Sequence, residues 1–233
     1  MFTFSFDIRA LKATAIAASN EETRYYLKGV CVEHTPDGPI FVATDGHRLI
    51  ATTHKWAIPR ADYFAHVIVP LSLIKRIKIN RKIDQATMTI EPKDKGTIAI
   101  SIYYAGATYI ENAIDGTFPD WRRVMPRECD GTVAQYNPDY LAAFADAGRV
   151  LGNGKCDVAV TISYNGGSPA LVRFWQEDKP IKSFGVIMPV RTNPVMDAPP
   201  SWTGYVKQEP VATATSEDIE AAALKAVADA LAD

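Results

Sequence analysis

The strongest constraint on this chain is a pattern met three times along it: a short apolar strand, a helix, then three more strand-like runs. In the first copy Phe2, Phe4 and Phe6 alternate with Thr3 and Ser5, the period-two pattern of a half-buried strand. Asp7 is placed to cap a helix over residues 8–18, with Ile8, Leu11, Ala15 and Ile16 on one stripe and Arg9 and Lys12 facing solvent. Strand-like runs follow at 24–33, 39–43 and 48–55, the first two separated by the turn Pro36-Asp37-Gly38-Pro39. The second copy has a strand at 66–69, then Pro70 suited to the first turn of a helix over 71–78, then strands at 87–91, 97–103 and 108–113. The third has a strand at 132–136, a helix capped by Asn137 that runs to about Gly148, and strands at 158–164, 170–176 and 182–188. A period of roughly 60 residues is longer than that of the common solenoids. These are three β-α-β-β-β units that share pattern more than sequence.

A chain of 233 residues is long enough for one or two domains. Hydrophobic residues at 47% and charged residues at 22% are ordinary globular values, which argues against wholesale disorder. No apolar run approaches the roughly 18 residues of a membrane span, and the alternating start is not a signal peptide. Cys31, Cys129 and Cys156 are far apart and have no zinc spacing, so no metal or cofactor is expected and a cytoplasmic location fits. The formal charge of −2 opposes a protein that coats nucleic acid all over. Residues 217–233 alone carry −4, however, and Lys75, Arg76, Lys78, Arg81 and Lys82 form one local basic run that can meet phosphate. Between 193 and 210 the chain turns proline-rich. A final helix then begins at Glu217, with Ile219, Ala223, Val227 and Leu231 on a narrow stripe.

Asp45-Gly46-His47-Arg48 sets a carboxylate near an imidazole, the raw material of an acid–base pair. No nucleophile motif, phosphate-cradling loop or metal-spaced cluster accompanies it, and Asp-Gly before a strand is also a plain turn signal. The chain is not expected to be an enzyme.

The run Thr23-Arg24-Tyr25-Tyr26-Leu27-Lys28-Gly29-Val30, followed by Val42-Ala43-Thr44-Asp45-Gly46-His47-Arg48-Leu49, resembles the middle domain of the beta subunit of bacterial DNA polymerase III, the sliding clamp, with Lys28 where Asn is usual. The connector from Asp115 to Pro126 is similar to that family's junction between middle and C-terminal domains, and the run from Phe184 to Arg191 to its final strand. The resemblance extends to about residue 193 and implies an α+β DNA-clamp fold of repeated β-α-β-β-β units, with outer antiparallel sheets and inner helices. It divides the chain into a complete clamp domain at 1–117, a connector at 118–130, a partial domain at 131–193 and a tail at 194–233.

The resemblance also implies what the chain does. Clamps encircle double-stranded DNA without reading its sequence. They tether polymerases, clamp loaders and repair proteins that dock a short, partly hydrophobic peptide between the middle and C-terminal domains. Carried over residue by residue, that pocket comprises Arg24, Leu27, Thr44, Gly46, His47, Arg48 and Leu49, with Pro119, Arg123 and Val124 from the connector. Asn137, Tyr140, Val186, Met188, Pro189, Val190 and Arg191 complete it. The same residue types suit peptide capture on their own chemistry: an apolar slot with an adaptable Met, and arginines for carbonyl or acidic groups. Arg9, Lys12, Lys75, Arg76, Lys78, Arg81 and Lys82 would face phosphate. A full-length family member has six units, and this sequence shows about three. The shortfall leaves open a homo-oligomer (a dimer or a four-chain ring) or a non-encircling adaptor or decoy that captures clamp-binding peptides.

Overall fold

The computed structural model describes residues 1–35, 38–54, 66–154, 158–175 and 181–191. They fall in a compact unit, Met1–Asn193; a second unit is Pro194–Asp233. The proline-rich stretch, the terminal helix, Cys156 and half of the Pro36-Asp37-Gly38-Pro39 turn lie outside the described residues.

The elements are β1 (Phe2–Asp7), α1 (Ile8–Thr14), β2 (Gly29–Thr35), β3 (Gly38–Thr44), β4 (Arg48–His54), β5 (His66–Pro70) and α2 (Leu71–Arg76). There follow β6 (Gln85–Pro92), β7 (Ile98–Tyr104), β8 (Ala107–Asn112), α3 (Pro138–Leu151), β9 (Ala159–Ser163), β10 (Ala170–Trp175) and β11 (Ile181–Ile187). They build two antiparallel sheets, one in the order β1-β6-β7-β8 and the other β5-β2-β3-β4-β11-β10-β9. The first two units exchange their first strands: β1 joins the three-strand meander of the second unit and β5 that of the first. The third unit adds its meander to the first unit's sheet by pairing β11 with β4, Val186 opposite Leu49.

Side-chain alternation explains the layers. Phe2, Phe4 and Phe6 turn inward with Met88, Ile100 and Ile102, while Thr3 and Ser5 meet Thr89 and Thr87 through hydroxyl contacts on the outer face. In the seven-stranded sheet Val30, Val32, Phe41 and Ile50 face the helices, and α1 packs on α3, β3 and β4. The alternate residues Cys31, Val42, Leu49, Ala51 and Val186 face the other way, into a second core roofed by Phe118 and Trp121 of the connector. The connector is therefore a lid on the sheet. Trp121 Nε1 donates to Glu33 Oε1 at 2.9 Å, Arg122 donates to the same carboxylate at 2.8 Å, and its guanidinium lies 4.2 Å from the indole ring. Burial under this lid pushes the Cys31 thiol far above its usual range. In the folded chain Cys31 is expected to resist a thiol reagent while the half-buried Cys129 reacts; labelling followed by mass mapping checks this, and it fails if Cys31 labels before unfolding.

Several elements depart from the sequence expectation. Residues 25–27 form a 3-10 turn, so the strand expected from Arg24 starts only at Gly29. The first helix ends at Thr14 and continues as a 3-10 turn to Ala17, and α2 stops at Arg76. At that end Lys12 Nζ donates to the carbonyls of Ile74 and Ile77 at 3.1 and 2.9 Å. Arg9, for its part, forks onto Asp7, the residue that caps α1, and also reaches Asp84 at 3.3 Å. Both side chains are half-buried rather than facing solvent, because Lys12 satisfies carbonyls at the end of α2 while Arg9 pairs with the carboxylate that caps α1. The helix α3 runs past Gly148 to Leu151. Residues 132–136 form no strand: in this topology a unit's first strand pairs with the meander of a companion unit, and the described residues contain none for the third. No described helix is long and apolar enough to cross a membrane.

Candidate functional site

The site grows from the tight turn between β3 and β4. Asp45 Oδ1 accepts from the backbone N–H groups of His47 and Arg48, both at 2.9 Å, and Thr44 Oγ1 donates to the Arg48 carbonyl at 2.7 Å. Gly46 sits at φ +92°, where a side chain is strained, and a Cβ there would lie 2.6 Å from Arg24 Nη1. The Asp-Gly pair is thus both turn and shelf for Arg24, whose guanidinium forks onto Glu21 at 2.6 and 2.8 Å. That pairing holds the Glu21 carboxyl below its ordinary range. The Asp45 carboxylate serves the turn backbone and stands 3.1 Å from Arg48 Nε, so the imagined acid–base pair is a structural turn.

Beside this turn opens a cavity of about 190 Å³. Buried Leu27, Leu49 and Val186 give it apolar walls; Thr44, Gly46, His47 and Arg48 come from the turn, and Pro119, Asp120, Trp121 and Val124 from the connector. Met188 completes it from the end of β11, held there as its N–H donates to the His47 carbonyl at 2.8 Å. At the rim Tyr140, on the first turn of α3, stacks on His47 with ring centres 5.8 Å apart, and the Arg48 guanidinium lies 5.0 Å from the same ring. Partial burial, then Asp45, raises the Tyr140 hydroxyl above its ordinary value. Val124, 42% exposed, leaves apolar surface open at the mouth. Apolar walls with a few fixed donors are chemically suited to hold an apolar side chain.

Not every expected pocket residue lines this cavity. Arg24 packs behind the turn, and Asn137 uses its side chain to cap α3 by accepting from Asp139 N at 2.8 Å. Arg123, Arg191 and Val190 are exposed and outside the lining, and the half-buried Pro189 is outside it too; the Val190 N–H donates to the Gln135 carbonyl at 2.8 Å. The sequence reading missed Asp120 and Trp121. A tryptophan between two prolines in a connector that also carries Phe118, Val124 and Met125 was the available signal, since residues so large and apolar are rarely left in water.

Of the residues expected to meet phosphate, Lys75, Lys78, Arg81 and Lys82 are exposed, Arg76 pairs with Glu111 at 3.1 Å, and Arg9 and Lys12 are engaged as described. Arg81 lies against Gly154, and its carbonyl accepts from Asn153 at 3.0 Å. Among the described residues no group of three or more His, Cys, Asp or Glu side chains is placed to hold a metal ion.

Exchanged strands, repeated units and helices on one sheet face define an α+β DNA-clamp fold. Solved sliding clamps share it: that of Pseudomonas aeruginosa superposes with a TM-score of 0.63 at 22% identity, over 82% of this chain and 66% of that one. The Bacillus subtilis clamp gives 0.62 at 16% identity, over 82% and 64%. Residues 6–120 match the family described as DNA polymerase III beta subunit, central domain. The beta sliding clamp of Synechococcus elongatus is 33% identical over 140 residues, 58% of this chain and 36% of that protein. The Caulobacter vibrioides one is 36% identical over 125 residues, 52% and 32%. The chain belongs, as a partial member, to the bacterial beta sliding clamp family, and it spans about a third of the length of these relatives.

Proposed function

We propose that this chain is a clamp-like DNA replication processivity factor that tethers polymerase, clamp loader or repair partners to DNA through the cleft beside the β3–β4 turn. The observation that carries the reading is the cleft itself. It gathers apolar walls from a turn, a connector and a final strand at one opening, in a chain whose relatives are beta sliding clamps. A short extended peptide with apolar anchors fits this composition, with Met188 adjusting to different side chains. The division into a domain at 1–117, a connector at 118–130, a partial domain at 131–193 and a tail at 194–233 belongs to the same reading, as do self-association, a non-enzymatic role and a cytoplasmic, nucleoid-associated location. Titrating a fluorescent peptide of the clamp-binding type and measuring retention on circular against linear duplex DNA tests it; no peptide binding sinks the reading.

DNA contact in this reading falls to Lys75, Lys78, Arg81 and Lys82, which are exposed and have no acidic partner among the described residues. Replacing Lys78 and Lys82 by Ala is expected to weaken DNA binding equally for all sequences and to reduce the slope of log K against log salt by about one per lost contact. An unchanged slope removes both residues from the DNA surface. A second reading, the non-encircling adaptor or decoy, is favoured by the internal engagement of Arg9, Lys12 and Arg76, which thins the basic surface. Peptide binding with no DNA affinity selects it.

A further inference from the structure

The first two units complete each other by reciprocal exchange. β1 pairs with β6, the first strand of the other meander, and β5 pairs with β2 in the same way. One rule sets both registers: the residue that caps the helix stands opposite the first residue of the accepting strand. Asp7 faces Gln85, and Pro70 faces Gly29. The third unit has the same parts without the exchange. β9 is the outer edge of the seven-stranded sheet and carries no charged residue. Its Val160 packs beside Gly148 of α3 yet stays 37% exposed. Residues 132–136, which stand where β1 and β5 stand relative to their helices, belong to neither sheet and leave Val133 54% exposed. Backbone bonds tie this segment to its own unit at Gly131, Thr132 and Gln135. An edge with no charged residue, and with no strand paired to it among the described residues, is a template for another strand.

We infer that a second copy of this chain docks at this edge, residues 132–136 of each copy pairing antiparallel with β9 of the other. The exchange between units one and two says what covers the edge, and a two-fold axis lets two identical third units repeat it. The helix-cap rule then fixes the register. Asn137 stands opposite Ala159, so Tyr136 meets Val160 and Gln135 meets Thr161. The faces agree, because Tyr136 already packs against the main core and Val160 lies on the α3 side of its strand, while Gln135 and Thr161 point outward. The inference rests on the self-association proposed above and is independent of the peptide cleft.

The test is a directed cross-link in the full chain. With Cys129→Ser and Cys156→Ser in place, Gln135→Cys combined with Thr161→Cys is expected to give a covalent dimer of the 25.5 kDa chain on mild oxidation, since residues directly opposite in a strand pair lie within disulfide reach. Gln135→Cys with Ser163→Cys, two residues out of register, is expected to cross-link far less. In sedimentation velocity, Val160→Lys should halve the mass of the unmodified dimer while peptide affinity stays the same. A monomer at all concentrations, a disulfide within one chain, or equal cross-linking of both pairs overturns the inference. A dimer that persists in Val160→Lys without the directed cross-link places self-association on another face and overturns this one. Loss of peptide binding in an intact dimer counts against the cleft alone.

Discussion

Gly185→Ala is expected to destabilise the chain by about 3 kcal/mol, near the upper end of what overpacking a filled core costs. Gly185 lies in β11, opposite Ile50 of β4 and Val172 of β10, where the third unit's meander joins the first unit's sheet. A Cβ there would collide with the Phe144 ring of α3 and lie 2.9 Å from the Leu49 carbonyl. The ring sits on the strand because no side chain intervenes, and that contact seats α3 on the sheet. Phe144→Ala alone should cost a similar amount, about 3–5 kcal/mol, by leaving a cavity in the main core. The double variant should lose clearly less than the two losses together, since the Ala methyl then occupies space the ring vacated. Urea denaturation of the four chains checks this. Strict additivity would show that ring and glycine do not act on one another.

Met188→Asp is the second large effect, and it falls on binding. Met188 is only half-buried at the mouth of the cleft, its backbone held by the His47 carbonyl, so a polar side chain there leaves the fold in place. A docked apolar side chain would instead meet an unpaired carboxylate, losing about 2–3 kcal/mol, or roughly 30–150-fold in affinity for a clamp-type peptide. Val124→Asp, in the connector's part of the lining, should behave alike, since Val124 is exposed in the free chain and a peptide seated in the cleft would cover it. Peptide anisotropy with a parallel thermal melt separates the two possibilities. A normal melt with unchanged affinity removes Met188 from the site.

The three units, their helices and most of their strands were legible in the sequence because alternation and helix caps are local signals. Phe2, Phe4 and Phe6 state their own period, and Asp7 and Asn137 each cap the helix that follows. The residues of the β3–β4 turn were legible for the same reason, since an Asp-Gly turn is read within a few positions. What the sequence could not reveal was long-range. Arg9 and Lys12 look like solvent cations on a helical wheel, and only the segments folded beside them show Arg9 pairing with Asp7 and Asp84 and Lys12 with the end of α2. Residues 132–136 have a strand's composition, yet a strand needs a partner, and the partner is decided by which unit lies alongside. Trp121 reads as one aromatic in a connector until Glu33, 88 residues earlier, is found holding its indole over the second core. The sequence by itself determined the repeat and the family resemblance. Only the tertiary structure decided, among the described residues, which cations have an acidic partner, which strand ends the sheet and which walls meet in one cleft, because these depend on contacts between segments far apart in the chain.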